Sequence, residues 1–180
     1  MKRFDRVLRN WRIRKALPHL AKAERLLDVG CGDGELLRQF GRNGVGIDPR
    51  LAKLASVPGV QFVCGNFPDD LPAAEPVDAI TMLAVFEHVP KTNKPAWPSA
   101  CHRLLADDGC VVLTVPSPRV DAILAVLRFF RLVDGMVLEE HHGFDPGEVT
   151  PLFESAGFRL VTHKTFQFGL NNLFVFTKNA

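Results

Sequence analysis

Three glycines at alternate positions, Gly30, Gly32 and Gly34, follow Leu26, Leu27, Asp28 and Val29, which suit a buried strand. A helix-compatible run, Glu35, Leu36, Leu37, Gln39 and Phe40, begins at once. Glycine serves where the backbone turns tightly or where no Cβ can stand between it and a ligand. Between a strand and a helix, such a loop also offers backbone N–H groups and the positive end of a helix dipole. The bland alternative is a glycine-rich turn that binds nothing. A second landmark narrows the choice: Val45, Gly46, Ile47 and Asp48 read as a short strand ending in a carboxylate. At the tip of the second strand of a β-α-β unit, a carboxylate can hold both hydroxyls of a ribose. On its own, Asp48 would read as a surface cap on a helix opening at Pro49. With the glycine loop, a nucleoside site is the better reading.

Proton-transfer chemistry needs a group that titrates near neutral pH, and histidine is that group. His141 and His142 are adjacent, and His88 follows Glu87 directly. Each also has a structural reading, as a histidine donating to backbone. The cysteines, Cys31, Cys64, Cys101 and Cys110, are far apart in sequence and form no C-x-x-C pair. Reduced core thiols are therefore expected, and no metal site.

The elements that would position these residues alternate. Strands are expected over 25–29, 44–48, 60–64, 77–83 and 110–115, with helices over 34–41, 50–56 and 95–106. Such alternation means a parallel sheet with helices on both faces, and ligands at the carboxyl ends of its strands. Residues 4 to 21 suggest an amphipathic helix with Phe4, Val7, Leu8 and Trp11 on one face. Its other positions are basic: Lys2, Arg3, Arg6, Arg9, Arg12, Arg14 and Lys15, against the single acid Asp5. It reads either as a helix across the domain near the ligand pocket or as a patch for anionic partners. Val120 to Val133 is apolar but for Asp121, Arg128 and Arg131. It reads as a buried helix, or as a lid or shallow membrane contact over an apolar substrate.

At 180 residues, 47% hydrophobic and 23% charged, the chain fits one globular domain. A net charge of +2 does not point to nucleic acid. The polar N-terminus is unlike a signal peptide and no apolar run reaches spanning length, so a cytoplasmic protein is expected.

Asp28-Val29-Gly30-Cys31-Gly32-Asp33-Gly34 resembles the first motif of class I S-adenosylmethionine-dependent methyltransferases, acid-x-Gly-x-Gly-x-Gly. Dinucleotide dehydrogenases favour G-x-G-x-x-G, and Glu35 stands where that pattern wants its last glycine. Thr81 to Val89, ending in Glu87-His88-Val89, is similar to the fourth-strand motif of the family's small-molecule members. Cys101 to Gly109 resembles its helix-turn-strand before strand five. His141 to Glu148 and Glu154 to Phe158 resemble its penultimate helix and the Gly-Phe leading into strand six. The likeness runs from about residue 24 to 178.

The resemblance implies an α/β, doubly wound sheet of seven strands, mostly parallel, in the order 3-2-1-4-5-7-6 with strand seven antiparallel. It implies residues 1–23 as an added basic helix, 24–180 as the cofactor-binding domain, and 118–145 as a lid or substrate insertion. For S-adenosylmethionine it implies Gly30, Gly32 and Gly34 along the methionine, Asp48 at the ribose, and Asn66 with Phe67 at the adenine, with Asp28, Cys31, Pro49 and Leu83 also among the cofactor-binding residues. An acid often stands where this chain has Asn66, whose carbonyl can still accept a hydrogen bond. The acceptor would be an oxygen or carbon of a small molecule, lipid-linked or glycan-linked, with His141, His142 or His88 as base. The basic N-terminal helix and residues 120–133 would be the places for a peripheral membrane contact. Two other functions stay open: a nicotinamide-dependent oxidoreductase on a similar sheet, and a methyltransferase-fold module without turnover.

Overall fold

The structure, a computed structural model, describes residues 3–51, 56–72, 75–117 and 144–179. It is built on a seven-stranded sheet in the order β3-β2-β1-β4-β5-β7-β6. The strands are β1 (Arg25–Val29), β2 (Asn43–Asp48), β3 (Val60–Cys64), β4 (Val77–Leu83), β5 (Leu105–Pro116), β6 (Phe158–Phe166) and β7 (Asn171–Lys178). The first five pair in parallel, and β7 runs antiparallel to both β5 and β6. The expected order and the reversed strand are both present.

Burial follows position in the sheet. β1, β4 and β7 are buried almost throughout, as strands covered on both faces must be. The edge strands β3 and β6 alternate with exposed residues. Cys64 ends the edge strand β3 and is exposed, which corrects its assignment to the core with Cys31 and Cys110. Cys31 and Cys101 are buried free thiols whose pKa burial pushes up to about 12, so they are inert.

The helices are α1 (Arg3–Ala16), α2 (Glu35–Phe40), α3 (Ala96–Leu104) and α4 (Val149–Ser155). Successive strand residues point to opposite faces, which divides the core in two. Val29, Ile47, Met82, Val111, Leu113, Phe174 and Phe176 pack with Phe86, Phe153 and Phe158 on one side. Leu26, Ala79, Val112, Leu173 and Val175 pack on the other with Leu36 and Leu37 of α2. Ile13 and Ala16 of α1, and Leu20 of the 3-10 turn after it, complete this second layer. Pro18 suits that tighter turn, because it removes a donor that a longer α-helix would need.

Three expectations change. The buried face of α1 is Ile13 and Ala16, whereas Val7, expected on the apolar face, is exposed. The helix expected over 50–56 is absent at Arg50, Leu51 and Ser56, and 52–55 lie outside the described residues. β5 begins at Leu105, five residues early, because Leu105 pairs with Val77 before a register shift. The apolar stretch 120–133 and most of the expected lid, 118–145, lie outside the described residues.

Candidate functional site

The strand order reverses between β1 and β4, and ligands of such sheets gather at the carboxyl ends beside that reversal. A cleft of ≈ 220 Å³ opens there. Its walls include Gly30 from the loop after β1, Ile47 and Pro49 from the end of β2, and Asn66 and Phe67 from the end of β3. Val85, His88 and Val89 contribute from beyond β4, and Trp97 from α3.

Local geometry explains the glycines. Gly30 has φ +73, and a Cβ there would lie 2.3 Å from Val85 Cγ2, so no side chain fits. Gly32 has φ +54, yet its Cβ would meet nothing within 4 Å. The first glycine lets protein pack on protein, and the second leaves open space. The loop is held to β2 by Gly30 N–H and Cys31 N–H, which both donate to Ile47 O, at 2.8 and 3.3 Å. α2 is only six residues long, so the loop's own backbone matters more here than a helix dipole.

Asp48 ties the two landmarks together. One carboxylate oxygen accepts from Gly32 N–H at 2.9 Å and the other from Arg50 N–H at 2.8 Å. A carboxylate has about four lone-pair sites, so acceptor capacity remains for two hydroxyls. The capping reading and the ribose reading of Asp48 are therefore compatible. Asn66 receives help from Asp70, a residue that no motif marks. Asp70 accepts from Asn66 N–H at 2.7 Å and, more weakly, from its side-chain amide at 3.4 Å. That leaves the Asn66 carbonyl oxygen for an outside donor. Phe67 is buried and meets Trp97 edge-on at 5.0 Å between ring centres.

Of the residues expected at the cofactor, Gly30, Pro49, Asn66 and Phe67 line the cleft, whereas Asp28, Cys31, Gly32, Gly34, Asp48 and Leu83 do not. Asp28 is buried at the carboxyl half of β1, where Thr81 Oγ1 donates to it at 2.7 Å. Burial pushes its carboxyl up to about 7 against that hydrogen bond, with Asp48 adding to the rise. Leu83 ends β4 opposite Thr114 of β5. The next residue, Ala84, has φ +60 and donates its N–H to Thr114 O at 2.9 Å. Strained backbone of this kind gathers at functional sites.

Of the three histidines, His88 sits on the cleft wall, and His141 and His142 lie outside the described residues. Its neighbour Glu87 is buried, and burial pushes that carboxyl up to about 7 although the Arg12 and Lys94 charges pull it down. Glu87 Oε2 has no hydrogen-bond partner among the described residues. α1 crosses beside this mouth: Arg9 Nη1 donates to both oxygens of Asp33, at 2.7 and 2.6 Å. That contact fastens the helix to the glycine loop. Among the described residues no group of three or more His, Cys, Asp or Glu side chains could hold a metal ion.

The site fits an adenine nucleoside that carries an amino-acid chain. Apolar walls from Phe67, Val85, Val89 and Trp97 stand beside the Asn66 side chain, with the Asp48 carboxylate and the backbone of the glycine loop at the neighbouring strand ends. Comparison with known proteins identifies the family. A family model described as a methyltransferase domain matches residues 2–163. A ubiquinone biosynthesis O-methyltransferase of Neisseria meningitidis serogroup C (strain 053442) is 30% identical over 155 residues, covering 76% of this chain and 64% of that protein. The protein of the same name from Psychrobacter arcticus is 31% identical over 156 residues, covering 75% and 59%. The chain thus spans about three fifths of the length of these curated relatives.

Solved structures show the same fold. A SAM-dependent methyltransferase from Archaeoglobus fulgidus has a TM-score of 0.72 at 18% identity, over 96% of this chain and 94% of that one. Magnesium protoporphyrin IX methyltransferase from Synechocystis PCC 6803, with bound SAH, has 0.68 at 17%, over 97% and 85%.

Proposed function

We propose a specific role for a chain that belongs to the class I S-adenosylmethionine-dependent methyltransferases: methyl transfer to a hydroxyl oxygen of a small apolar acceptor. The observation that carries the cofactor half of this reading is the link between loop and acid. Asp48 accepts from Gly32 N–H while the Cβ direction of Gly32 is open.

Gly30 and Gly32 would line the methionine, Asp48 would hold the ribose diol, and the Asn66 carbonyl would accept from the adenine amino group. Phe67, Pro49 and Trp97 would enclose the base. S-adenosylmethionine, when bound, supplies a methyl group already activated by the positive sulfur. The protein's work is then to place the acceptor oxygen and remove its proton. Positioning alone can be worth ~7–11 kcal/mol in favourable models. His88 is the base we favour over His141 and His142, because it lies on the cleft wall directly beyond β4. It would take the hydroxyl proton as the new oxygen–carbon bond forms. The choice of oxygen is supported by the curated relatives, which are named O-methyltransferases.

A nicotinamide-dependent oxidoreductase is set aside by the antiparallel β7 beside β5, together with the family match. Calorimetric titration with S-adenosylhomocysteine and with NADH tests this directly: binding of the first alone is expected. Transfer of labelled methyl to catechols with and without a prenyl tail then tests the acceptor. Binding without transfer to any hydroxylated acceptor would favour a module without turnover. His88→Ala is expected to lower turnover ~100-fold with cofactor affinity kept. If only His141→Ala with His142→Ala does so, the base is there instead.

A further inference from the structure

Among the described residues three large hydrophobic side chains are strongly exposed: Val7, Val161 and Phe168, the last at 93%. Two of them flank one ring. Val7 precedes Trp11 by one helical turn on α1. The Trp11 ring meets Phe168 edge-on, 6.0 Å between centres.

Phe168 is held there at a cost. It forms the tip between β6 and β7 with φ +59, next to Gln167 at φ +52. Left-handed backbone costs a residue with a side chain roughly 1–2 kcal/mol, and glycine or asparagine would sit there more easily. Gln167 recovers something for the fold: its side-chain amide donates to Leu8 O of α1 at 3.0 Å and its carbonyl accepts from Asn171. Phe168 gains an edge contact with Trp11. The tip is thus pinned to α1 with a phenyl ring held out in water.

The surroundings are cationic. A depression of ≈ 440 Å³ on α1 is lined by Val7, Asn10, Trp11, Arg14 and Lys15, with no acid among them. Arg9 turns to Asp33 and the Arg12 charge acts on Glu87, while Arg6, Arg14 and Lys15 are exposed. Aromatic rings at the level of headgroups, ringed by Lys and Arg, are what an anionic bilayer surface binds. A second copy of this face would oppose its own cations, which disfavours self-pairing.

We propose that α1 and the β6–β7 tip form one docking surface for an anionic lipid bilayer, with Phe168 as its wedge. Because Arg9 fastens α1 to the glycine loop, docking would bring the cleft to the lipid–water boundary. That suits the apolar acceptor proposed above, although the docking itself needs no turnover.

Sedimentation of the full chain with vesicles tests it, using phosphatidylcholine alone and phosphatidylcholine with phosphatidylglycerol. Binding is expected only to the anionic vesicles, and should fall about tenfold or more as salt rises from about 0.1 M to about 0.5 M. Phe168→Ala should weaken binding by about fivefold, and Arg14→Glu with Lys15→Glu by at least about tenfold. S-adenosylhomocysteine affinity should be unchanged in each variant, which separates lost docking from lost folding and from failure of the cofactor assignment. Equal binding to neutral vesicles, no binding to either kind, or unaltered binding by Phe168→Ala would overturn the proposal. So would self-association, or binding to single-stranded RNA, that Phe168→Ala abolishes while vesicle binding is absent.

Discussion

Two of the turns that use left-handed backbone use it in opposite ways. In the loop after β1 the positive-φ residues are Gly30, Gly32 and Gly34. At the β6–β7 tip they are Gln167, Phe168 and Gly169. The first turn discards side chains so that Val85 can press on Gly30 and open space can remain at Gly32. The second keeps two side chains in a conformation that disfavours them. One of these, Gln167, is buried and bonded, and the other is in solvent. The comparison teaches that left-handed backbone costs little where glycine carries it, as at the loop, and is held against a cost where Gln167 and Phe168 carry it, as at the tip.

The sharpest break of this contrast is Gly30→Ala. With Val85 Cγ2 at 2.3 Å from the new Cβ and φ at +73, a loss of about 3 kcal/mol or more is expected in chemical denaturation. Combining it with Val85→Ala should restore part of that loss, since the two sites touch. Gly32→Ala should behave differently. It meets no atom within 4 Å, so stability should fall by only about 1 kcal/mol while S-adenosylhomocysteine affinity drops much further. If both glycines cost stability alone, the loop is structural and the ligand reading fails.

Asp28, under the same loop, gives a pH signature of comparable size. Its carboxyl titrates near 7 in the folded protein, against about 4 for an unfolded chain. Between those values the folded state holds a proton that the unfolded chain has released, so stability falls as pH rises and levels off above about 7. Asp28→Asn removes that dependence. Its stability relative to the parent should improve between pH 4 and pH 7 by a few kcal/mol, about 4 at most. No change in the gap across that range would mean that Asp28 is ionised in the folded state.

At the tip, Gln167→Ala removes the tie to Leu8 and strands Asn171, for an expected loss of about 1–3 kcal/mol. Phe168→Gly is the smallest and the most telling. Relief of left-handed strain should raise stability by up to about 1 kcal/mol while vesicle binding falls. A residue whose removal stabilises the fold and weakens docking is kept for something outside the fold. A loss of stability instead would show that the Trp11 contact is what retains Phe168.

The unequal visibility of these regions has a physical cause. Val45 to Asp48 announced itself by an apolar run ending in an acid, and the loop by its glycine spacing. Both are signals carried within a few residues. Trp97, Asp70 and Val85 reach the site only because α3, the turn after β3 and the end of β4 converge on one cleft. Nothing near them in sequence says so. Val7 satisfied the helical period yet is exposed, whereas Ile13, Ala16 and Leu20 enter the core cluster against which Trp11 also packs. Periodicity predicts that a helix has a buried face, but the neighbouring surface selects which one.

What the chain determined by itself was therefore local: where strands run, where backbone must be bare, and that an acid stands at the end of β2. Those features follow mainly from short-range sterics and alternation, although pairing with Val77 moved the start of β5. Tertiary structure alone decided that Asp48 reaches Gly32, that Arg9 fastens α1 to Asp33, and that Gln167 bonds to Leu8, 159 residues away in sequence. Each is a meeting of groups far apart along the chain, made possible when the buried sheet had already fixed where its edges and ends lie.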